Sequence, residues 1–216
     1  LNISTFTFCG HSLGGGVGWK LAVMAQHRLR RLVLMAPTPT GGFPRFGETM
    51  RGPRTHMLQH YGWLPRYDPQ DTEQLRELRD RYDILSEDRP GKDTPEWFDD
   101  RVRMISTVAE DYWSEAFLSM ANLRLSEAVR SLSLPVLMIA GATDELLDFN
   151  VNDVKLVQNG VLHVFSNAGH ETARDDPDGV ARVIDDFVRG KTLSRKAHAR
   201  LMEQRLKERG LKPVPK

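Results

Sequence analysis

The sequence contains little of what stabilises secreted proteins or anchors membrane proteins. Its 216 residues include a single cysteine, Cys9, which excludes an intramolecular disulfide, and no Cys/His cluster has the spacing of a zinc site. The longest apolar runs, 32–37 and 134–142, are far shorter than the roughly 20 residues of a membrane-spanning helix. No basic segment precedes a long apolar one at the N-terminus, so a signal peptide is not predicted. These absences argue against an integral membrane protein and favour a cytoplasmic location.

Net charge is also low, since 30 Lys and Arg balance 29 Asp and Glu to within one charge. The balance conceals an asymmetry, because residues 191–216 contain nine Lys or Arg and two Glu, which leaves −6 on the rest. Apolar residues recur in this tail at helical spacing, at Leu193, Ala197, Leu201 and Leu206. We interpret the tail as a basic amphipathic helix packed on the acidic body, with docking on an acidic partner, nucleic acid or a membrane surface as the alternatives. No aromatic residue lies among the basic ones, so nucleic-acid binding is not expected.

The first forty residues show the pattern of a β-α-β unit. Residues 4–8 are β-branched and aromatic, which is typical of a strand. A glycine-rich segment follows, and then a helical pattern with apolar residues at 17, 21, 24 and 25. Residues 31–35 form a second apolar run before two prolines. Two strands joined through a helix predict a parallel sheet.

The rest of the chain divides into a helical segment and a second part of the sheet. Residues 41–130 show helical patterns at 70–86, 94–108 and 110–121 and no strand, which predicts a helical cap inserted into the core. Strands are predicted at 135–140 and 161–166, and helices near 147–157 and at 177–189. We therefore predict an α/β fold with a mainly parallel sheet of about four strands. Its core comprises 1–40 and 131–190, its cap 41–130 and its C-terminal helical tail 191–216.

The segment Gly10-His11-Ser12-Leu13-Gly14 fits the pattern G-x-S-x-G. It lies between a predicted strand and a predicted helix, which is the setting that the pattern requires. A nucleophile at such a turn has a strained backbone, and we expect the small residues Gly10 and Gly14 to avoid clashes there. The turn would lift the Ser12 hydroxyl above the sheet, at the N-terminus of the helix. The backbone N–H of Leu13 would then be one donor of an oxyanion hole.

This strand-turn-helix resembles the nucleophile elbow of the α/β-hydrolase family. That family has its catalytic acid after a later strand and its histidine after the last one, in the order Ser, Asp, His. Here Asp144 ends a G-x-x-D turn after strand 135–140, and His170 follows strand 161–166. The resemblance therefore implies a triad of Ser12, Asp144 and His170.

Several of these residues have alternative interpretations. Ser12 is also a favourable helix N-cap, and Asp148 is a second candidate for the acid. His163 competes with His170 but lies in the middle of a strand, where a packing role is expected. We expect the side chain of His11 to point away from Ser12 in a structural role, and Cys9 to be a small buried residue.

The resemblance implies a serine hydrolase that forms an acyl-serine intermediate and needs no metal or organic cofactor. Aromatic residues in 41–130 favour a small or medium apolar carboxylic ester as substrate, and a thioester or lactone would use the same triad. A serine nucleophile argues against the family's epoxide-hydrolase and haloalkane-dehalogenase branches, which attack through a carboxylate. The residues that bind the substrate are not assigned.

In the family, several strands precede the elbow, and one of their loops supplies the second oxyanion donor. We therefore expect the strand at 4–8 to have an open edge that pairs with a copy of the chain or a complementing chain. The alternative to an enzyme is a catalytically silent fragment or binding module.

Overall fold

The structure is a computed structural model that describes residues 3–43 and 112–191. The helices predicted at 70–86 and 94–108 and the tail helix lie outside these residues, so the cap and tail assignments stay predictions. Within the described ranges, no helix is long and apolar enough to cross a membrane.

The chain divides into two units. One comprises Leu1–Gly42 and Leu123–Lys216, and the other comprises Phe43–Asn122. Within the second unit the structure describes one helix, Tyr112–Ala121, close to the predicted 110–121.

The first unit is built on one sheet of four parallel strands, in the order β1-β2-β3-β4. The strands are β1 (Phe6–His11), β2 (Leu29–Met35), β3 (Val136–Gly141) and β4 (Gly160–Phe165). The helices of the described chain are α1 (Leu13–Ala25), α2 (Tyr112–Ala121), α3 (Leu147–Asp153), α4 (Thr172–Asp175) and α5 (Pro177–Val188), with 3-10 turns at Gln26–Arg28, Ala128–Ser131 and Val154–Leu156. The predicted parallel sheet of about four strands is confirmed.

The bounds of two predicted elements were wrong. The strand predicted at 4–8 begins at Phe6 and continues to His11, because β1 pairs with β2 along its whole length and His11 lies opposite Met35. Gly10 and His11 are therefore part of the strand, and the turn is confined to Ser12. The helix predicted near 147–157 ends at Asp153 and tightens into a 3-10 turn.

The core lies on both faces of the sheet, because residues 32–35 of β2 and 136–140 of β3 are all apolar. Successive side chains of a strand point to opposite faces. Leu34 and Met138 accordingly pack with Trp19 of α1, whereas Val33 and Ile139 belong to the cluster that α5 covers. All six residues of β3 are buried. The continuous apolar runs of β2 and β3 are thus explained by helices on both sides.

A buried carboxylate holds the segment that follows β2. Asp153, at the end of α3, accepts hydrogen bonds from the Thr40 N–H at 2.8 Å and from the Thr40 hydroxyl at 2.6 Å. The Thr40 carbonyl accepts the N–H of Leu125 at 2.7 Å. Thr40 therefore connects the end of β2 to α3 and to the residues that precede β3. Burial raises the pKa of Asp153 above its usual value, and the bonds from Thr40 oppose this shift.

We expect Asp153→Ala to lower the free energy of unfolding by about 1–3 kcal/mol, because it leaves the Thr40 N–H buried without its acceptor and leaves the Thr40 hydroxyl with only Ser126 Oγ, at 2.9 Å, as a described partner. Asp153→Asn can accept from the Thr40 N–H and donate to its hydroxyl oxygen, so it should cost less. Urea denaturation of both variants beside the parent chain measures the difference. Equal stability of the alanine variant and the parent would contradict this role.

The raised pKa also gives a pH dependence. The folded state holds the Asp153 proton more tightly than the unfolded chain does, so this group's contribution is complete below the unfolded pKa of about 3.9 and is lost as the pH rises through the folded value. Relative to the parent, Asp153→Asn should therefore gain stability as the pH rises through that window. Comparing the two at each pH cancels the other titrating groups.

Candidate active site

Ser12 occupies a strained turn between β1 and α1. Its φ is 53° and its ψ is −116°, a backbone conformation that residues other than glycine rarely adopt. Backbone hydrogen bonds hold this conformation from both sides. The Ser12 N–H donates to the Met35 carbonyl at 2.9 Å, and the Ser12 carbonyl accepts from Gly15 at 2.9 Å and from Thr38 at 3.1 Å. The turn is therefore fixed by β2 and the residues after it as well as by α1.

The Ser12 side chain does not cap the helix, so that alternative is wrong. It makes no capping hydrogen bond to the backbone of α1. Its Oγ instead lies 3.0 Å from Nε2 of His170. Leu13 is the first residue of α1, where an N–H has no partner within the helix. The predicted oxyanion donor is thus in a suitable position, and its role stays a prediction.

The glycines around Ser12 differ in the space that the structure leaves for a side chain. A Cβ at Gly10 would lie 2.3 Å from the Gly14 carbonyl oxygen, and one at Gly15 would lie 2.6 Å from the Pro37 Cβ. A Cβ at Gly14 would meet no described atom within 4 Å. The expectation that packing requires glycine at both 10 and 14 is therefore correct for Gly10 and wrong for Gly14. The close approach of α1 to the segment after β2 depends on Gly15 instead.

The three residues that the family resemblance selected lie in one hydrogen-bonded chain. Nδ1 of His170 is 3.2 Å from Oδ1 of Asp144, and Nε2 of the same ring is 3.0 Å from Oγ of Ser12. A carboxylate only accepts, so Nδ1 carries the proton and a neutral ring accepts the Ser12 hydroxyl at Nε2. The side chain of Asp144 is 0% exposed and that of His170 is 34% exposed.

The competing candidates lie elsewhere. Asp148 is exposed on α3. His163 is fully buried within β4, where its ring centroid lies 4.5 Å from that of Phe165, in agreement with a packing role. The structure thus brings together Ser12, Asp144 and His170, and it places neither alternative with them.

The acid turn and the histidine loop hold each other through residues that the sequence analysis did not single out. The N–H and the hydroxyl of Thr143 both donate to the Ala168 carbonyl at 3.1 Å. Asp175 of α4 accepts the Gly169 N–H at 2.7 Å. A Cβ at Gly141 would lie 2.2 Å from the Ala168 oxygen, so the two segments meet at the end of β3 only because residue 141 is glycine. Thr143 lies within the G-x-x-D turn, but the pattern does not specify it.

One expectation about β1 was wrong. Cys9 is exposed, because β1 is the edge strand of the described sheet. The His11 side chain contacts the histidine loop, where its Nε2 lies 2.9 Å from the carbonyl oxygen of His170. Its expected direction away from Ser12 stays a prediction. The two rings lie with centroids 4.9 Å apart. Within 3–43 and 112–191, no group of three His, Cys, Asp or Glu side chains could hold a metal ion, and the expected independence from metals and cofactors stays a prediction.

Comparison with known proteins agrees with this architecture. The model of the alpha/beta hydrolase family matches residues 3–183. The chain is 24% identical over 196 residues to 2-hydroxy-6-oxo-2,4-heptadienoate hydrolase of Pseudomonas putida strain F1, covering 87% of this chain and 65% of that protein. It is 26% identical over 202 residues to 2-hydroxymuconate semialdehyde hydrolase of Pseudomonas sp. strain CF600, covering 87% of this chain and 63% of that one. It thus spans less than two thirds of each curated relative.

Solved structures share the fold. A thermophilic esterase from Thermogutta terrifontis superposes with a TM-score of 0.61 at 19% identity, covering 87% of this chain and 65% of the esterase. The expected fold, part of an α/β-hydrolase with a parallel sheet, is confirmed by this likeness and by the family match.

We expect Gly10→Ala and Gly14→Ala to have opposite effects on stability. The added methyl at position 10 collides with the backbone, which should cost about 1–3 kcal/mol. At position 14 no described atom lies within 4 Å of the added methyl, and alanine in a helix should be neutral or stabilising by up to about 1 kcal/mol. Thermal unfolding of the two variants beside the parent checks this. A Gly14→Ala variant as destabilised as Gly10→Ala would contradict the assignment.

Proposed function

Because the chain belongs to the α/β-hydrolase family, we propose that it is a serine hydrolase with Ser12 as nucleophile, His170 as general base and Asp144 as the acid that orients it. The observation that carries the proposal is the continuous chain of hydrogen bonds from Ser12 Oγ through both ring nitrogens of His170 to Asp144 Oδ1, at 3.0 and 3.2 Å. Nucleophile, base and orienting group within hydrogen-bond reach are what nucleophilic catalysis requires.

The reaction follows from the positions of the protons. His170 Nε2 takes the hydroxyl proton as Ser12 Oγ attacks the substrate carbonyl, and Asp144 stabilises the imidazolium that forms. The Leu13 N–H and the N-terminus of α1 stabilise the negative charge on the carbonyl oxygen. His170 then donates its proton to the leaving group, which departs and leaves an acyl-serine. A water that gives one proton to His170 attacks this intermediate, and His170 returns that proton to Ser12 Oγ as the bond to the acyl group breaks and the acid is released.

Asp144 and His170 differ in how far their side chains are exposed to water. The Asp144 side chain is inaccessible to water, so its charge acts on the His170 ring in a low-dielectric setting. The Asp144 carboxylate also accepts the Leu146 N–H at 3.0 Å, which orients it independently of the histidine. The partly exposed His170 ring can reach both the leaving group and the hydrolytic water.

For the substrate we propose a small or medium apolar carboxylic ester, with a thioester or lactone as chemically equivalent alternatives. A second candidate is hydrolysis of a carbon–carbon bond in a 2-hydroxy-6-oxo-dienoate. It is favoured by the two curated relatives, a 2-hydroxy-6-oxo-2,4-heptadienoate hydrolase and a 2-hydroxymuconate semialdehyde hydrolase, each of which aligns with 87% of this chain. Both reactions use an attack on a carbonyl carbon, so the same triad serves either.

We also make proposals about the cellular location of the protein and about a partner for β1. We propose a cytoplasmic location, which the single cysteine supports. We propose that the outer edge of β1, which has no strand beside it among residues 3–43 and 112–191, pairs with a second copy or a complementing chain, because an unpaired strand edge is a template for pairing. A catalytically silent binding module is the alternative that the next experiment addresses.

We expect a fluorophosphonate probe to label the chain at Ser12 and Ser12→Ala to abolish labelling. Asp144→Asn should slow labelling by up to about 10⁴-fold, because the ring then loses the partner that sets its tautomer. Asp148→Asn is the matched control, since this exposed carboxylate lies four residues away, and it should label like the parent. No labelling of the folded parent, or an equal loss in both aspartate variants, would contradict the assignment.

Hydrolysis of p-nitrophenyl esters of increasing acyl length, measured beside a 2-hydroxy-6-oxo-dienoate, separates the two substrate classes. We expect Ser12-dependent ester turnover, with kcat/KM greatest at a short or medium acyl chain. A higher kcat/KM for the dienoate, also lost in Ser12→Ala, would select the second candidate. Turnover that survives in Ser12→Ala would contradict both.

A further inference from the structure

We propose that His11 is a positioning residue for the catalytic histidine, which it holds by donating a hydrogen bond to the backbone of His170. This inference rests on the proposed function. The contact joins Nε2 of His11 to the His170 carbonyl oxygen at 2.9 Å, in a partly buried position. A carbonyl oxygen only accepts, so His11 carries its proton on Nε2.

The contact links the strand that leads into Ser12 to the loop that carries His170. His11 is the last residue of β1 and immediately precedes Ser12, whereas His170 lies 159 residues later in the loop after β4. His11 is itself fixed, because it is paired with Met35 in the parallel ladder. A donor on a rigid strand therefore sets the position of the His170 backbone relative to the serine that follows it.

The other bonds of this loop act on different residues. Thr143 holds the Ala168 carbonyl, while Asp175 and Thr172 hold the N–H and the carbonyl of Gly169. Those contacts fix the approach to His170, and the bond from His11 fixes the carbonyl of His170 itself. Placement matters at this point, since a displacement of about 1 Å between reacting groups can cost about 100-fold in rate.

The His11 ring also touches the ring that it positions. The two imidazole centroids lie 4.9 Å apart with the planes tilted by 51°. The side chain therefore has two separable contacts, a hydrogen bond to the backbone and a ring contact. Two substitutions separate them, because His11→Gln retains a donor near the Nε2 position without the ring, and His11→Phe retains a ring without the donor.

We expect His11→Phe and His11→Ala to lower kcat and the fluorophosphonate labelling rate about tenfold, with KM changed less than about twofold, because the lost bond alters placement and not substrate affinity. His11→Gln should retain most of the activity. Met24→Ala, at a side chain 73% exposed on α1, is the control and should match the parent. Full activity in His11→Phe, or an equal loss in His11→Gln and His11→Ala, would overturn the proposal.

Hydrogen exchange at residues 168–172 gives a readout that needs no activity. Exchange should be faster in His11→Phe and His11→Ala than in the parent and in His11→Gln, and unchanged exchange in His11→Ala would overturn the proposal. Failure of the proposed function has a different signature. The parent would then show no Ser12-dependent labelling, while the exchange rates would still decide whether His11 holds the loop.

Discussion

The backbone of Ser12 is the constraint on which the site depends. A non-glycine residue in such a conformation costs about 1–3 kcal/mol and persists only where its surroundings determine it. Here the surroundings are Met35 at the end of β2, the first turn of α1 and Thr38, all of which form hydrogen bonds with the Ser12 backbone. Because Gly10 has no side chain, the end of β1 can lie close to the Gly14 carbonyl in the first turn of α1. The same turn that carries the strain lifts the hydroxyl out of the strand and into reach of His170.

Parallel topology brings in the other two groups. The acid and the histidine are 132 and 158 residues away from Ser12 along the chain, yet each lies just beyond the end of a strand of the same sheet. Because parallel strands end at one edge, the distance along the chain does not matter once the strand order is set. Buried apolar strands such as β2 and β3 are recognisable from the sequence, and so the location of Asp144 and His170 was predictable.

The features of the site that the sequence did not predict depend on contacts between loops. The bond from His11 to the His170 carbonyl, and those from Thr143 to Ala168, depend on turn conformation and side-chain rotamers that leave no periodic signal in the sequence. The misplaced start of β1 has a related cause, since Gly10 and His11 have the composition of a turn and become strand only through pairing with β2. Cys9 was misjudged because its burial was expected from its residue type, although an open edge was expected for the same strand.

The burial of Asp144 determines which ring nitrogen of His170 exchanges a proton in the proposed mechanism. The Asp144 side chain, at one end of the chain of hydrogen bonds, is inaccessible to water, and the His170 ring in the middle of the chain is partly exposed. An ionised carboxylate in a dry setting attracts the Nδ1 proton strongly, so that proton stays in place through the reaction. The exchangeable position is then Nε2, which faces Ser12. The ring therefore presents a free lone pair to the hydroxyl before any substrate binds, and the donor from His11 keeps that lone pair aligned with the serine.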